Sequence, residues 1–430
     1  MKNGKSVGGF IVALIFFGVL SMYIMQLGPS AVLMNIGEHF GITDNNALMN
    51  LPVNVVFPFI IIGCFAGTPI DKRFGTYRLY ALALALTAIG LLLNFAAGSS
   101  FALLIAARGI FGLGFGLGIP FIGSAIMQWF SPAGREKMNT LNGWFPYIGQ
   151  LIMFAAIAPI AVVMGWQFGM GVWGILAVVV LVLWLACVKK DRLPNLAEDE
   201  DDEAQGSAGA HLYRDLFSYR AIKLLIVVFA LDYANYSFIA AVLPTLIMNG
   251  GDWSESVAGI AAAVVFPGLG VVGALLGGVT MSKTGRRKIC FLIGSAFELA
   301  GIVTIFLGAE HSVAFILLGV VLFALGNGFW LPPMYCVPME LKGMTPVMAG
   351  AAFAVISAAG FALGFFSPII GGMLTDFFVA SESAAALGAG GAYVFGIKNA
   401  MMIFGLVYIV NLICFAVIEE TGPGKKGGVK

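Results

Sequence analysis

Long apolar runs separated by short polar stretches dominate the chain. A window of about 19 residues finds about twelve runs of spanning length, at 8–36, 48–70, 77–97, 100–129, 140–163, 166–188, 221–248, 255–281, 289–308, 312–338, 346–375 and 396–418. About 20 apolar residues cross the hydrocarbon of a bilayer, so each run predicts a membrane helix. Several are longer, and those are expected to tilt, bend or project. Pro52, Pro58, Pro120, Pro146, Pro159, Pro244, Pro267 and Pro368 mark the expected bends.

Composition agrees with this pattern. Of 430 residues 60% are apolar and 10% charged, with a mean hydropathy of +0.97, whereas a soluble chain carries about 25% charged residues. Charge then sets the orientation. Lys2 and Lys5, the stretches 72–78, 189–223 and 283–288, Arg135, Lys137, Lys342 and the tail 425–430 hold the bases on alternate loops or on the two ends. Both termini are therefore expected on the cytoplasmic side. Only Arg108 and Lys398 escape this alternation, and the opposite loops carry Glu38, Asp44, Asp252, Glu255, Glu310 and Glu382. One missed helix would put later clusters on the wrong side, so the regularity supports twelve.

The start MKNGKSVGGFIVALIFF has the basic end and apolar run of a signal peptide. It lacks a small-residue cleavage site before NIGEHFG and is long enough to span, so it reads as the first helix. Cys64, Cys187, Cys290, Cys336 and Cys414 lie in or at the ends of apolar runs without metal-ligand spacing, which suits packing residues. No metal and no cofactor is expected, and nothing points to a nucleic-acid partner. A phosphate-binding loop and a nucleophile elbow are both missing, which argues against an enzyme and against ATP drive.

Between the sixth and seventh runs the composition shifts to KKDRLPNLAEDEDDEAQGSAGAHLYRD, with six consecutive acids from Glu198 to Glu203. This reads as a solvated linker, 189–220, between halves 1–188 and 221–430. The halves echo each other. GTPIDKRFGTYR (Gly67 to Arg78) follows the second run and GVTMSKTGRRK (Gly278 to Lys288) the eighth, each a glycine turn with bases. A parallel repeat of six plus six helices is the organisation in which two bundles rock about a central site.

Here the chain resembles the major facilitator superfamily over nearly its whole length. The superfamily's loop signature after the second helix, Gly-x-x-x-Asp-basic-x-Gly-basic-x-basic, is matched by Gly67, Asp71, Lys72, Gly75 and Arg78, with one residue too many between Asp71 and Gly75. The second copy keeps the spacing in Gly278, Lys283, Gly285, Arg286 and Arg287, with Ser282 in place of the acid. The resemblance implies a latch between the halves; the alternative is that these bases serve topology alone.

In the fourth run, LLIAARGIFGLGFGLGIPF is similar to the superfamily's Arg-x-x-x-Gly-x-Gly pattern. Arg108 lies roughly 12 Å from the outer end. A guanidinium at that depth either ties helices through backbone carbonyls or serves an anion or coupling site. The fifth run, LNGWFPYIGQLIMF, keeps Gly143, Pro146 and Gly149 but lacks the paired glycines common in the superfamily's drug–proton antiporters. Proline and small residues recur in GFALGFFSPIIGG of the eleventh.

In the seventh run, FALDYANYSF places one carboxylate about eleven residues in, near the midplane. Asp232, Asn235 and Tyr236 are spaced i, i+3, i+4 and share a face. That face meets either a polar cavity with a site or coupling role, or a neighbouring helix. Tyr23 and Gln26, Asn50 and Asn54, Tyr147 and Gln150, and Asn327 and Trp330 form further polar or aromatic pairs at helical spacing. The resemblance puts them on cavity-lining helices, as substrate contacts. Glu298 is as deep as Asp232, on a ninth helix that the resemblance places outside the bundle. His39, His211 and His311 all lie at ends or in loops. If protons drive transport, their carriers are therefore Asp232 first and Glu298 second.

The reading is an all-α integral membrane protein of two six-helix bundles, monomeric, in the bacterial inner or plasma membrane. Its expected work is alternating-access transport of a small organic or inorganic anion such as a carboxylate, with proton symport. The runner-up is proton-coupled efflux of a cationic or lipophilic compound bound by Asp232. A channel, a membrane enzyme or a receptor-like scaffold fits the two-half repeat less well.

Overall fold

The computed structural model describes residues 8–190, 193–194 and 212–424. Lys2, Lys5, the acidic run 198–203, His211 and the basic tail from Lys425 lie outside them. Twelve helices among the described residues are long and apolar enough to cross a membrane: α1 Gly9–Gln26, α2 Leu48–Phe74, α3 Thr76–Ala97, α4 Phe101–Trp129, α5 Pro132–Met164, α6 Trp166–Cys187, α7 Arg220–Gly251, α8 Val257–Thr284, α9 Lys288–Gly308, α10 Val313–Glu340, α11 Pro346–Val379 and α12 Gly388–Val417.

The expected order and number of spans are present, and the boundaries differ most where polarity is a poor guide. The first run, read as one span to residue 36, stops at Gln26 and continues as a 3-10 turn, Gly28–Val32, and a short helix, Leu33–Phe40. Pro29 explains the break: it lacks an amide proton and disfavours helical geometry at Gly28 before it. The fifth helix begins eight residues before its apolar run. Ser131 Oγ accepts from Gly134 N at 3.4 Å and Pro132 opens the first turn, a start signal that hydropathy misses. Further along, α5 widens to π-helical geometry over Met153–Ile157. Pro159 follows, and its ring would strike the carbonyl of Ala155 in a regular helix, so the wider turn relieves it.

By its internal contacts the chain falls into two compact units. One takes the described residues up to Met138 together with those of Ile148–Tyr219 and Leu341–Ala358; the other takes Asn139–Tyr147, Arg220–Glu340 and the described residues from Ala359. α5 thus enters the second unit after Met138 and returns to the first after Tyr147, and α11 passes from the first to the second after Ala358; the two are equivalent helices of the six-plus-six repeat.

Glycine makes the packing in each unit close. In the first, a Cβ on Gly116 of α4 would fall on Ile60 O of α2 and within 2.8 Å of Gly63 Cα. In the second, a Cβ on Gly277 of α8 would fall on Phe329 O of α10. Gly277→Ala is therefore expected to cost about 1–3 kcal/mol through overpacking, whereas Gly372→Ala in α11, with no atom within 4 Å, should change thermal unfolding little. Lys398, one of the two bases off the loop pattern, meets Glu310 Oε1 at 2.9 Å beside the Phe306 and Phe395 rings.

Candidate functional site

In the second unit the polar face of α7 points inward. Asp232, Asn235 and Tyr236 are all buried, and Asp232 is the hub. Asn327 of α10 donates Nδ2 to Asp232 Oδ1 and Oδ2 at 3.2 and 3.0 Å and to Glu298 Oε1 of α9 at 3.0 Å. An amide has two N–H groups, so each carboxyl can take one. Tyr408 Oη of α12 donates to Asp232 Oδ1 at 3.3 Å and Trp330 Nε1 to Glu298 Oε1 at 3.2 Å. Asn327 thus bridges the two carboxyls, and Glu298 Oε2 has no hydrogen-bond partner among the described residues. Tyr147 Oη donates to Asn327 Oδ1 and holds the amide so that Nδ2 faces the carboxyls.

The sequence around Asn327 explains why these groups meet. Glycine flanks it on both sides. A Cβ on Gly326 would lie 2.8 Å from Glu298 N of α9, and one on Gly328 would lie 2.8 Å from Ala274 N of α8. With hydrogen in both places, α10 closes on two neighbours and carries Asn327 to the carboxyls. Gly270 of α8 makes room for the Tyr147 ring in the same way. Tyr236 stacks on Phe266, centroids 5.1 Å apart, and meets Tyr147 edge-on at 6.4 Å. Among the described residues no basic side chain is paired with either carboxyl. Asn235 points elsewhere, donating Nδ2 to Phe404 O of α12 at 2.6 Å.

The first unit holds Arg108, wholly buried in α4. Its Nε donates to Pro52 O at 2.9 Å, Nη1 to Met25 O at 2.8 Å and Nη2 to Gln26 O at 2.6 Å, with the Phe111 ring 4.9 Å from the guanidinium carbon. Met25 and Gln26 end α1, where carbonyls lose their helical partners. The break that Pro29 imposes therefore creates the acceptors that Arg108 satisfies, and a cation there also suits the negative end of the helix dipole. Tyr23 packs edge-on against Phe115 at 5.0 Å, Gln26 is buried, and Asn54 and Gln150 are half-buried in this same unit.

The two glycine-turn loops differ. Gly75 and Gly285 both take positive φ, 82° and 65°, which is why glycine stands there. In the first loop Asp71 is buried and Thr76 Oγ1 lies 2.9 Å from its Oδ1, while Lys72 and Arg78 are exposed. Ser124 Oγ donates to Pro346 O at 3.0 Å. Gly67 lets α2 close on Pro120 of α4, and Gly278 lets α8 close on Thr140. In the second loop Arg286 is exposed, whereas Arg287 is buried and forks onto Glu340 through Nε and Nη2. Glu420 accepts from Arg287 N at 2.7 Å and Lys288 N at 3.1 Å, capping α9, and Thr421 Oγ1 donates to Glu340.

The structure thus brings together Asp232, Glu298, Asn327, Trp330 and Tyr147, with Tyr236 against them. It leaves Arg108, Tyr23, Gln26, Asn54 and Gln150 in the other unit. Glu298, expected on an outward helix, is turned fully inward. Tyr408, Glu340, Glu420 and Thr421 escaped the sequence reading; a single tyrosine in an apolar helix carries no pattern, and acids near a tail look like solvated charge. No group of three or more histidine, cysteine or acidic side chains able to hold a metal occurs among the described residues.

The fold matches solved transporters. The proton:xylose symporter XylE, bound to 6-bromo-6-deoxy-D-glucose, superposes with a TM-score of 0.76 at 16% identity, over 96% of each chain. A D-xylose–proton symporter gives 0.69 at 17%, over 96% of this chain and 98% of that one. No curated protein matches in sequence. The model of the Major Facilitator Superfamily matches residues 9–368, and with its twelve apolar helices the chain belongs to that superfamily, as a multi-pass membrane transporter and not an enzyme.

Proposed function

We propose that this transporter is a proton-coupled symporter and that the Asp232–Glu298 pair holds the proton it carries. The pair itself is the observation that supports the reading: two buried carboxyls, bridged by one amide, without a basic partner among the described residues. A second charge at that depth costs several kcal/mol. A closed, dry pair therefore keeps its shared proton, while a conformation that admits water lets it go, and protonation and conformation become linked.

The solute we propose is a small organic anion such as a carboxylate, which a co-transported proton renders neutral. α5 supports this by lacking the paired glycines of drug antiporters. Arg108 does not, since each of its three nitrogens donates to a carbonyl, and we take it as a tie between α1, α2 and α4. A second reading is a neutral polyhydroxy solute. The hydroxyls, amides and rings of Tyr147, Tyr236, Asn327 and Trp330, with no base among them, favour it, and xylose is the solute of both structural neighbours. Both termini are placed in the cytoplasm of a monomer in the bacterial plasma membrane, 1–188 and 221–430 are taken as the moving halves joined by 189–220, and the glycine-turn loops are taken as their latch.

Thermal stabilisation of the purified protein tests these readings. A ligand at about 100 times its Kd adds about 2.7 kcal/mol, so small carboxylates, pentoses and lipophilic cations can be compared directly. Stabilisation by carboxylates that grows as pH falls is expected, because a symporter binds solute and proton together. Stabilisation by pentoses with the same pH trend would select the second reading. Stabilisation by cations that grows as pH rises would overturn symport in favour of efflux by exchange.

A further inference from the structure

α9 and α12 run antiparallel, and their contacts fix a register. Gly405 packs against Ile302, Phe415 stacks on Phe291 with centroids 4.5 Å apart, and Lys288 Nζ donates to Ala416 O. That register sets Tyr408 across from Glu298, and Tyr408 indeed reaches the pair at Asp232. One turn further toward the Arg287 end it sets Asn411 across from Ser295. Both are wholly buried. Ser295 Oγ and both amide atoms of Asn411 have no hydrogen-bond partner among the described residues.

Unpartnered buried polar atoms are costly, of the order of 1–3 kcal/mol each, and the register sets these opposite each other, one turn from Glu298 and Tyr408. They suit an ordered water, which needs about two to four polar partners. Beyond them the seam is closed by rings: Phe291 on Phe415, with Trp330 at 6.5 and 5.7 Å from the two. Past the rings stand Arg287, Lys288, Glu340 and Glu420, the polar end of the unit.

We propose that protons reach and leave the Asp232–Glu298 pair along the α9–α12 seam, through water held by Ser295 and Asn411 and past the Phe291–Phe415 rings. The route rests on the reading of the pair as the proton site. A carboxyl O–H gives its proton to the bound water, which passes one of its own protons onward; nothing is oxidised or reduced. Tyr408, hydrogen-bonded to Asp232 and one turn from Asn411, holds the carboxyl at the start of the route. The other titratable groups near the pair are Tyr147 of α5 and, around Tyr147, Tyr236 of α7 and Tyr335 of α10. At the polar end of the seam the charged groups are Arg287, Lys288, Glu340 and Glu420, while Cys290 packs toward α8 and α10.

Time-resolved infrared spectroscopy of the full-length protein after a pH jump tests the route without needing the solute. The carbonyl band of the protonated pair is assigned first, by its loss in the double variant Asp232→Asn, Glu298→Gln. Asn411→Leu and Ser295→Ala should then slow the band's appearance about tenfold, the effect of roughly 1.4 kcal/mol of barrier, with its final amplitude kept. Phe415→Ala should hasten it. Wild-type rates in Ser295→Ala and Phe415→Ala, and in Asn411→Leu where it folds, would overturn the route while leaving the pair as proton site. A band that survives in the double variant would overturn the pair reading and the route together.

Discussion

Asp232→Asn abolishes solute accumulation driven by a pH gradient, while exchange of solute across the membrane continues. Asparagine keeps the size of the side chain and can still meet Tyr408 and Asn327, so helix packing is preserved. It cannot carry a proton, and it leaves Glu298 without the partner that shares one. For one proton per solute, each pH unit is worth about 1.4 kcal/mol, or about tenfold accumulation. In proteoliposomes loaded with the solute that stabilises the protein, the native chain should approach that ratio and Asp232→Asn should settle at equal concentrations. Glu298→Gln should behave alike, because the proton belongs to the pair. Tenfold accumulation by Asp232→Asn would show that the coupling ion binds elsewhere.

The second large effect is on stability. Arg108→Met removes the guanidinium donors to three carbonyls, those of Met25, Gln26 and Pro52. At about 1–3 kcal/mol for each acceptor left unmet, the loss should amount to several kcal/mol in thermal unfolding. Arg108→Lys should recover little of it, since an ammonium on a flexible stem cannot reproduce the planar fork that spans two helices. Solute stabilisation of the surviving folded protein should persist. If Arg108→Met instead unfolds like the native chain but no longer responds to carboxylates, Arg108 is an anion ligand and the tie is incidental.

The helical layout was legible because length and hydropathy are coarse signals that burial does not alter. The end of α1 was not, since the residues after Pro29 are still largely apolar and only backbone geometry records the break. Arg108 was visible as a buried cation, but whether it met a solute or carbonyls depended on that break. Asp232 could be placed by depth and by the face it shares with Asn235 and Tyr236, yet Asn235 turned to Phe404 of α12. Glu298 was equally deep, and depth says nothing about direction. Its inward turn follows from the glycines that draw α9 onto α10, Gly294 and Gly326 among them, which in the sequence look like any other small residues of a membrane helix. Tyr408 and Asn411 stand alone in an apolar helix and acquire meaning only through the register of α12 on α9.

The pair's role also explains why Asn327 is held from two sides. Tyr147 fixes its oxygen and the carboxyls take its two N–H groups, so a change in the proton is felt by the amide. Tyr147 is the last residue of α5 in the second unit, and Ile148 belongs to the first.

The most direct test is to count the protons taken up by the solute-free protein as it is moved from mildly alkaline to mildly acidic pH, comparing the native chain with the double variant Asp232→Asn, Glu298→Gln. The account predicts that the native protein binds more protons than the variant, the difference being the proton of the pair. Equal uptake by the two would contradict it.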